Sequence, residues 1–273
     1  VLEYVNNSFE SAEEQAAFDV YDANNINPLY GFFVARAGLG ASESMRSKLA
    51  EYNDPRLSRA FITKQGTSGK EQAPGTADNA VYAPNGTPEQ GTSKYGTSLF
   101  MYSISAPTLL LSYHELKFLE AEALCRLERD AKSALKDAVV AGLLNAENSF
   151  TISRKELGKT LINAASSITE AEAESYFDNT IEAKYTAEPL KTTMTQKYFA
   201  LWGASGEATE SYNDVRRMKG LGENFIELKN PNSFPLRCPY GNSDTTTNAE
   251  VKAAYGNGQY VYSENVWWAG GSR

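Results

Sequence analysis

Residues 108–143 read Thr108-Leu-Leu-Leu-Ser-Tyr-His-Glu-Leu-Lys-Phe-Leu-Glu-Ala-Glu-Ala-Leu-Cys-Arg-Leu, then Glu128-Arg-Asp-Ala-Lys-Ser-Ala-Leu-Lys-Asp-Ala-Val-Val-Ala-Gly-Leu143. This spacing predicts a helix, a tight turn and a second helix. Leu116, Leu119, Ala123 and Leu127 recur at i, i+3, i+7 and i+11, and Phe118, Ala121 and Cys125 widen that apolar face. Glu115, Glu122, Arg126 and Arg129 read as the opposite, wet stripe. Ala131, Ala134, Leu135, Ala138, Val139 and Gly142 form a stripe of mostly small residues on the second helix. Small residues let helix axes approach, so the two should pack as an antiparallel hairpin like a tetratricopeptide unit.

Further capping signals lie on both sides. Ser11 with Glu14 reads as a capping box for a helix over 9–23, broken by Asn24, Asn25, Asn27 and Pro28. Residues 29–41 read as an extended apolar run closed by glycines. Residues 42–53 read as a helix capped by Ser42 or Ser44, with Met45, Leu49 and Tyr52 inward, stopped at Asn53-Asp54-Pro55. Thr169 to Glu172 opens a helix reaching about Tyr185, with Ala173, Phe177 and Ile181 inward. Thr193 with Gln196 reads as a cap for a helix placing Met194, Tyr198, Leu201 and Trp202 inward. A helix over 207–218 would bury Ala208, Tyr212 and Val215, and Gly220 and Gly222 would end it. The fold class expected is mainly α: tetratricopeptide-like helical hairpins with long irregular loops and a few short strands. Residues 108–218 would form the hairpin core of a single 1–273 domain, and 223–273 a loop-rich C-terminal segment.

Residues 63–100 are a long loop insertion with six glycines and three prolines among many Thr and Ser. A loop of that length in a compact domain is usually either functional or mobile. Its tyrosines either tether it to the core or offer a flat face to a ligand. The candidate binding residues are Asp78, Asn79, Tyr82, Tyr95 and Tyr102.

Several function classes are excluded or unsupported. The 273 residues carry a net charge of −8 and no basic cluster beyond Arg216, Arg217 and Lys219, which argues against nucleic acid. No 18-residue apolar run spans a membrane. The single histidine, His114, rules out multi-histidine zinc sites and reads as structural. No G-x-S-x-G elbow supports a hydrolase triad. Asn242, Asp244, Thr246, Asn248 and Glu250 alternate like a calcium loop but lack its terminal glutamate and central glycine. No catalytic residue, metal or cofactor is expected. Cys125 reads as a buried thiol, and a pairing with Cys238 stays open. Trp202 should pack in the core, and Trp267-Trp268 should anchor the tail.

Taken in order, several phrases resemble the SusD/RagB family of outer-membrane nutrient-binding lipoproteins. They are Asn27-Pro28-Leu29-Tyr30 with Asn53-Asp54-Pro55-Arg56-Leu57; Ser112-Tyr113-His114-Glu115 with Ala121-Glu122-Ala123; Gln196–Trp202 with Glu207-Ala208 and Asp214–Arg217; and Pro235-Leu236-Arg237 with Trp267-Trp268. Tyr212, Gly241 and Ala269 depart from the family's usual Trp, Pro and Asp. The resemblance implies a C-terminal portion of a longer chain, whose signal peptide and lipid anchor would lie outside these residues. It implies a non-enzymatic protein at the cell outer membrane, exposed on the surface. Such a protein captures a glycan or peptide and delivers it to a SusC-type TonB-dependent transporter. A tetratricopeptide-like scaffold without small ligand, and a secreted glycosidase, are the competing readings.

Overall fold

Ser112 ends an extended segment and begins a helix, because its hydroxyl accepts from the Glu115 N–H at 3.1 Å. In this computed structural model the described residues are 2–5, 7–36, 39–63, 82–86, 94–203, 206–229 and 233–271. By internal contacts the chain divides into two units, Val1–Leu228 and Lys229–Arg273.

The first unit opens with α1 (Leu2–Val5), a 3-10 turn at Ala12–Glu14 and β1 (Ala16–Phe18). The helix expected over 9–23 does not form. Ser11 caps only the 3-10 turn, and the Glu14 carboxylate accepts from the Glu10 N–H at 2.8 Å. The residues after it take ladder bonds, with Ala16 opposite Leu111 and Phe18 opposite Thr108 on an antiparallel partner strand. Residues 28–36, expected to be extended, are instead α2 (Pro28–Arg36). Pro28 supplies a preset helical φ at its first turn, and the Asn27 side chain caps it by accepting from the Leu29 N–H at 2.8 Å. The same Asn27 amide donates to the Ala106 carbonyl at 2.7 Å, so a long-range contact selects the helix. α3 (Glu43–Glu51) follows with Ser42 as its cap. Asp54 then caps a 3-10 turn at Pro55–Ser58. β2 (Phe61–Ile62) pairs antiparallel with β3 (Thr97–Ser98), and a 3-10 turn at Leu99–Tyr102 leads to β4 (Thr108–Leu111), the partner of β1.

The central hairpin is α4 (Tyr113–Arg126) and α5 (Lys132–Leu157). The small-residue stripe of α5 is buried as expected, and the helix runs well past residue 143. Its first turn is capped from a distance, the Tyr185 hydroxyl accepting from the Ala131 N–H at 2.8 Å. Gly142 earns its place by proximity: a Cβ there would lie 3.0 Å from the Ala200 Cβ. The inward face of α4 differs from the periodicity reading. His114, Glu115, Phe118, Ala121 and Glu122 are buried, whereas Leu119 and Ala123 are half-buried and Leu127 is 59% exposed. The two glutamates turn inward because cations from elsewhere in the fold meet them, a factor that apolar spacing does not report.

α6 (Glu170–Tyr176), capped by Thr169, runs through a π turn at Phe177–Ile181 into α7 (Glu182–Ala187). α8 (Pro189–Ala200) starts at Pro189 rather than at Thr193, which lies inside it and donates back to the Pro189 carbonyl. α9 (Ala208–Gly220) buries Val215 and Met218, while Ala208 and Tyr212 face outward, contrary to expectation. Phe61, Phe118, Phe150, Phe177 and Phe199 are fully buried and centre the core. Each such ring is worth roughly 2–3 kcal/mol over exposure. Trp202 joins them, its ring 5.2 Å from Phe61 and 5.1 Å from Phe100. The architecture is mainly helical and tetratricopeptide-like, with two small two-stranded sheets among the described residues.

The second unit holds α10 (Asn242–Thr247) and α11 (Ala249–Tyr255) where the alternating acids and asparagines lie. Tyr240 stacks on Tyr255 at 4.3 Å, and its N–H donates to the Gly258 carbonyl. Trp267 and Trp268 are largely exposed. Both cysteines are free, and Cys125 is half-buried with its sulfur 3.6 Å from the Thr193 hydroxyl. Among the described residues no helix is long and apolar enough to cross a membrane.

Candidate functional site

An interior segment of the long loop and its C-terminal end are bonded to one stretch of backbone. The Ala83 N–H donates to the Ala41 carbonyl at 2.7 Å, and the Glu43 N–H donates to the Ala83 carbonyl at 3.0 Å. On the other side the Ala41 N–H donates to the Gly96 carbonyl at 2.8 Å, and the Thr97 hydroxyl to the Leu39 carbonyl at 2.8 Å. Residues 39–43, leading into α3, are thus a ledge that carries the loop. Asp78 and Asn79 lie outside the described residues. Tyr82 sets its ring edge-on to Phe61 at 5.2 Å, with the Arg46 guanidinium 5.7 Å from its centroid. Burial pushes its phenol up, and Arg46 works against that. Tyr95 is buried with the Lys94 ammonium 5.3 Å from its ring, and Tyr102 is edge-on to Phe33 at 5.1 Å. No ring contact among the described residues joins the three tyrosines. Tyr82 and Tyr102 meet rings distant in sequence, which is the tethering arrangement, while the buried Tyr95 meets its chain neighbour Lys94.

A concavity that apolar spacing did not reveal lies against α5. It encloses about 570 Å³ between the 3-10 turn at 12–14, the start of α4, α5 and the start of α6. Val140, Ala141 and Leu144 form its floor, with Tyr113, Asn145 and Asn148 beside them. Its sequence signal was Val140 and Leu144 at i, i+4, outside the small-residue stripe. That signal was missed because α5 continues beyond the expected hairpin. A shallower depression of about 480 Å³ lies between Asn53–Arg59 and α6, where Arg59 is already bonded to Glu172 at 2.8 Å.

The titratable groups singled out in the sequence are mostly structural. His114 is 1% exposed, and burial, then the Arg56 and Lys197 charges, drive its pKa down to about 3. Its Nε2 lies 3.8 Å from a Glu207 carboxylate oxygen. Burial, then the Glu115 carboxyl, push Glu207 up to about 8, although its other oxygen accepts from the Ser112 N–H at 2.5 Å. Lys197 sits between Asp214 at 2.8 Å and Glu115 at 3.7 Å. Arg217 forks onto Glu122 at 2.5 and 2.8 Å and reaches Asp214 at 2.8 Å, so it is spent within the fold. Burial raises Glu122, and its bonds to Arg217 and Arg126 more than reverse this, leaving it below the usual carboxylate range. The arginines and Lys197 find carboxylates here, whereas His114 Nε2 and one oxygen each of Glu207 and Asp214 make no hydrogen bond among the described residues. Among the described residues no group of three or more His, Cys, Asp or Glu is placed to hold a metal.

Comparison with known proteins agrees with this architecture. The family SusD-like_2, described as starch-binding and associating with outer membrane, matches residues 1–240. A SusD/RagB family protein from Bacteroides thetaiotaomicron superposes with a TM-score of 0.89 at 65% identity, covering 100% of this chain and 58% of that one. A SusD homologue from Bacteroides fragilis gives a TM-score of 0.62 at 16% identity, covering 97% of this chain and 59% of that one. A chitin-binding protein gives 0.58 at 19% identity, covering 95% of this chain and 56% of that one. The chain therefore spans less than two thirds of the length of these structures. Among curated proteins none is significantly similar in sequence. The phrases around Ser112–Glu122, Gln196–Trp202, Glu207 and Asp214–Arg217 meet in one buried polar network, the match extends over residues 1–240, and the chain belongs to the SusD-like family described as starch-binding and associating with the outer membrane.

Proposed function

We propose that this chain captures a nutrient glycan without transforming it and hands it to a SusC-type TonB-dependent transporter at the cell surface, where a lipid anchor holds the protein to the outer membrane. The observation that carries this reading is the ledge at 39–43, to which Ala83 inside the 63–100 loop and Gly96 and Thr97 at its C-terminal side are hydrogen-bonded. Points at which a loop is held lower the ordering cost of the side chains it presents. Family membership supports a starch-type ligand, and the chitin-binding protein of similar fold extends the panel to amino-sugar polymers. Asp78 and Asn79 would supply hydrogen bonds, and the tyrosines would hold the loop and offer a remaining ring face.

The tethering geometry dictates the test. Tyr82→Ala would loosen the loop, so it does not separate binding from folding. Asp78→Ala combined with Asn79→Ala is the informative change. Titration calorimetry with starch- and chitin-derived oligosaccharides is expected to show binding by the unaltered chain. The double variant is expected to bind about tenfold more weakly, roughly 1.4 kcal/mol, with an unchanged unfolding midpoint. Equal affinity in both proteins would remove the loop as the site.

A further inference from the structure

The concavity on α5 has a composition unlike a sugar site. Its floor is aliphatic, made by Val140, Ala141 and Leu144. Sugar rings are gripped by flat aromatic faces. The one aromatic ring here, Tyr113, already carries the Lys117 ammonium 5.7 Å from its centroid. The charge around the floor is one-sided. Glu10, Glu13, Asp137, Glu170 and Glu174 line the concavity, and among the described residues none of them is in a salt bridge. The one cation of the lining, Lys136, is bonded to Asp178 at 2.8 and 3.0 Å. Several buried acids of this unit have cations: Glu122 takes two arginines, Glu147 takes Arg154, and Asp54 takes Arg56, whereas the buried Glu207 faces neutral His114. The five acids of the α5 concavity are exposed and are joined to no cation at ion-pair distance among the described residues. Burial raises Asp137 above its ordinary range, and the Lys117 and Lys136 charges work against that.

The dimensions and amides narrow the occupant. From Asp137 to Asn148 the helix advances 11 residues, roughly 16 Å at 1.5 Å per residue. That is the length of about five residues of extended chain. Asn145 and Asn148 flank the floor and offer amide donors and acceptors suited to a peptide backbone. An acidic rim attracts a cationic partner and repels an anionic one.

We propose that this groove binds a short extended peptide segment that carries lysine or arginine side chains alternating with aliphatic ones. The aliphatic side chains cover Val140, Ala141 and Leu144, and the cations reach the acidic rim. No described residue of the 63–100 loop lines this groove, and the proposal does not rest on the loop's proposed role.

The test is fluorescence anisotropy of the purified 273-residue chain with a labelled, end-blocked Lys-Leu-Lys-Val-Lys peptide, and with Glu-Leu-Glu-Val-Glu as its charge-reversed partner. The cationic peptide is expected to bind about tenfold more tightly than the acidic one. Raising the salt from about 0.1 M to about 1 M should weaken it severalfold, as the screening length falls from ~10 to ~3 Å. Asp137→Asn with Glu174→Gln is expected to weaken it about fivefold, the worth of two exposed ion pairs, with an unchanged circular dichroism spectrum. Val140→Ser tests the floor separately, adding no charge, and should weaken binding through lost apolar contact. The loop variant at Asp78 and Asn79 should bind this peptide as the parent does, so failure of the loop site leaves this one standing. Equal binding of the two peptides, no binding of either, undiminished affinity in the charge-neutral variant, or displacement by maltohexaose or chitohexaose would each overturn the proposal.

Discussion

Replacing Asp54 by Ala is expected to destabilise the first unit by about 3–5 kcal/mol, the cost of leaving one member of a buried ion pair uncompensated. Asp54 and Arg56 have 0% and 2% of their side-chain surfaces exposed. The carboxylate accepts from Arg56 Nε at 2.8 Å and from its terminal nitrogen at 2.6 Å. Burial works against the guanidinium charge, and Asp54 more than restores it. The remaining nitrogen donates to the Phe199 carbonyl at 2.8 Å, so the pair also ties the Pro55–Ser58 turn to the end of α8. Asp54 caps that turn as well, accepting from the Arg56 N–H at 2.9 Å. With Asp54 gone, Arg56 stays surrounded by Phe199 and Tyr176 without a counter-charge. Arg56→Met added to Asp54→Ala should recover part of the loss, because it removes the stranded charge. Urea unfolding of the single and double variants measures this. A double variant less stable than Asp54→Ala would show that the ion pair is not what governs the effect.

Stability should pass through a broad maximum between about pH 4.5 and 6.5, set by Glu207 on one side and His114 on the other. Glu207 is raised in the folded protein from 4.5 to about 8. The folded state therefore keeps a proton that the unfolded chain releases. Its stabilising contribution is complete below pH 4.5 and is lost as pH rises through about 8. His114 is lowered from 6.5 to about 3, so its contribution is present above 6.5 and is lost as pH falls toward 3. Glu115, Lys197 and Asp214 share this interior with them. An alkaline loss of more than about 1.4 kcal/mol, the equivalent of one pKa unit, is expected. In a domain of this size that is about 2–4 °C in Tm per kcal/mol. Glu207→Gln keeps an oxygen for the Ser112 N–H and removes the ionisation, so its Tm should fall less between pH 6 and 9. An alkaline slope identical to the parent's would rule out Glu207 as its source.

The apolar spacing identified the helices of the central hairpin but not always their inward faces, and it misread 9–23 and 28–36. Ala131, Ala134, Leu135, Ala138 and Val139 are small or aliphatic and lie where their period puts them. On α4 the period of Leu116, Leu119, Ala123 and Leu127 was real, yet Glu115 and Glu122 went inside in place of the last three. A carboxylate goes inside when a cation waits there, and Lys197 and Arg217 come from 75 or more positions further along the chain. The same limit explains β1 and α2. Residues 16–18 became a strand through partners at 108–111, and residues 28–36 became a helix through the bonds of Asn27 to residues 104 and 106.

The loop was legible as a loop, and its tyrosines were legible as tether or platform. Which role each ring takes depends on Phe61 and Phe33, neither of which is adjacent in sequence. Of the α5 concavity only the Val140 and Leu144 pair was legible, since its other walls come from separate segments of the chain.

The helices of the central hairpin, the caps at Ser42 and Thr169, the small-residue stripe and the family phrases are local properties, and the order of residues alone determined them. The pairing of buried charges, the bonding of Ala83, Gly96 and Thr97 to residues 39–43 and the acidic groove on α5 were decided by the tertiary structure. The physical reason is that desolvation and Coulomb energy depend on distances between chain segments, which local periodicity does not encode.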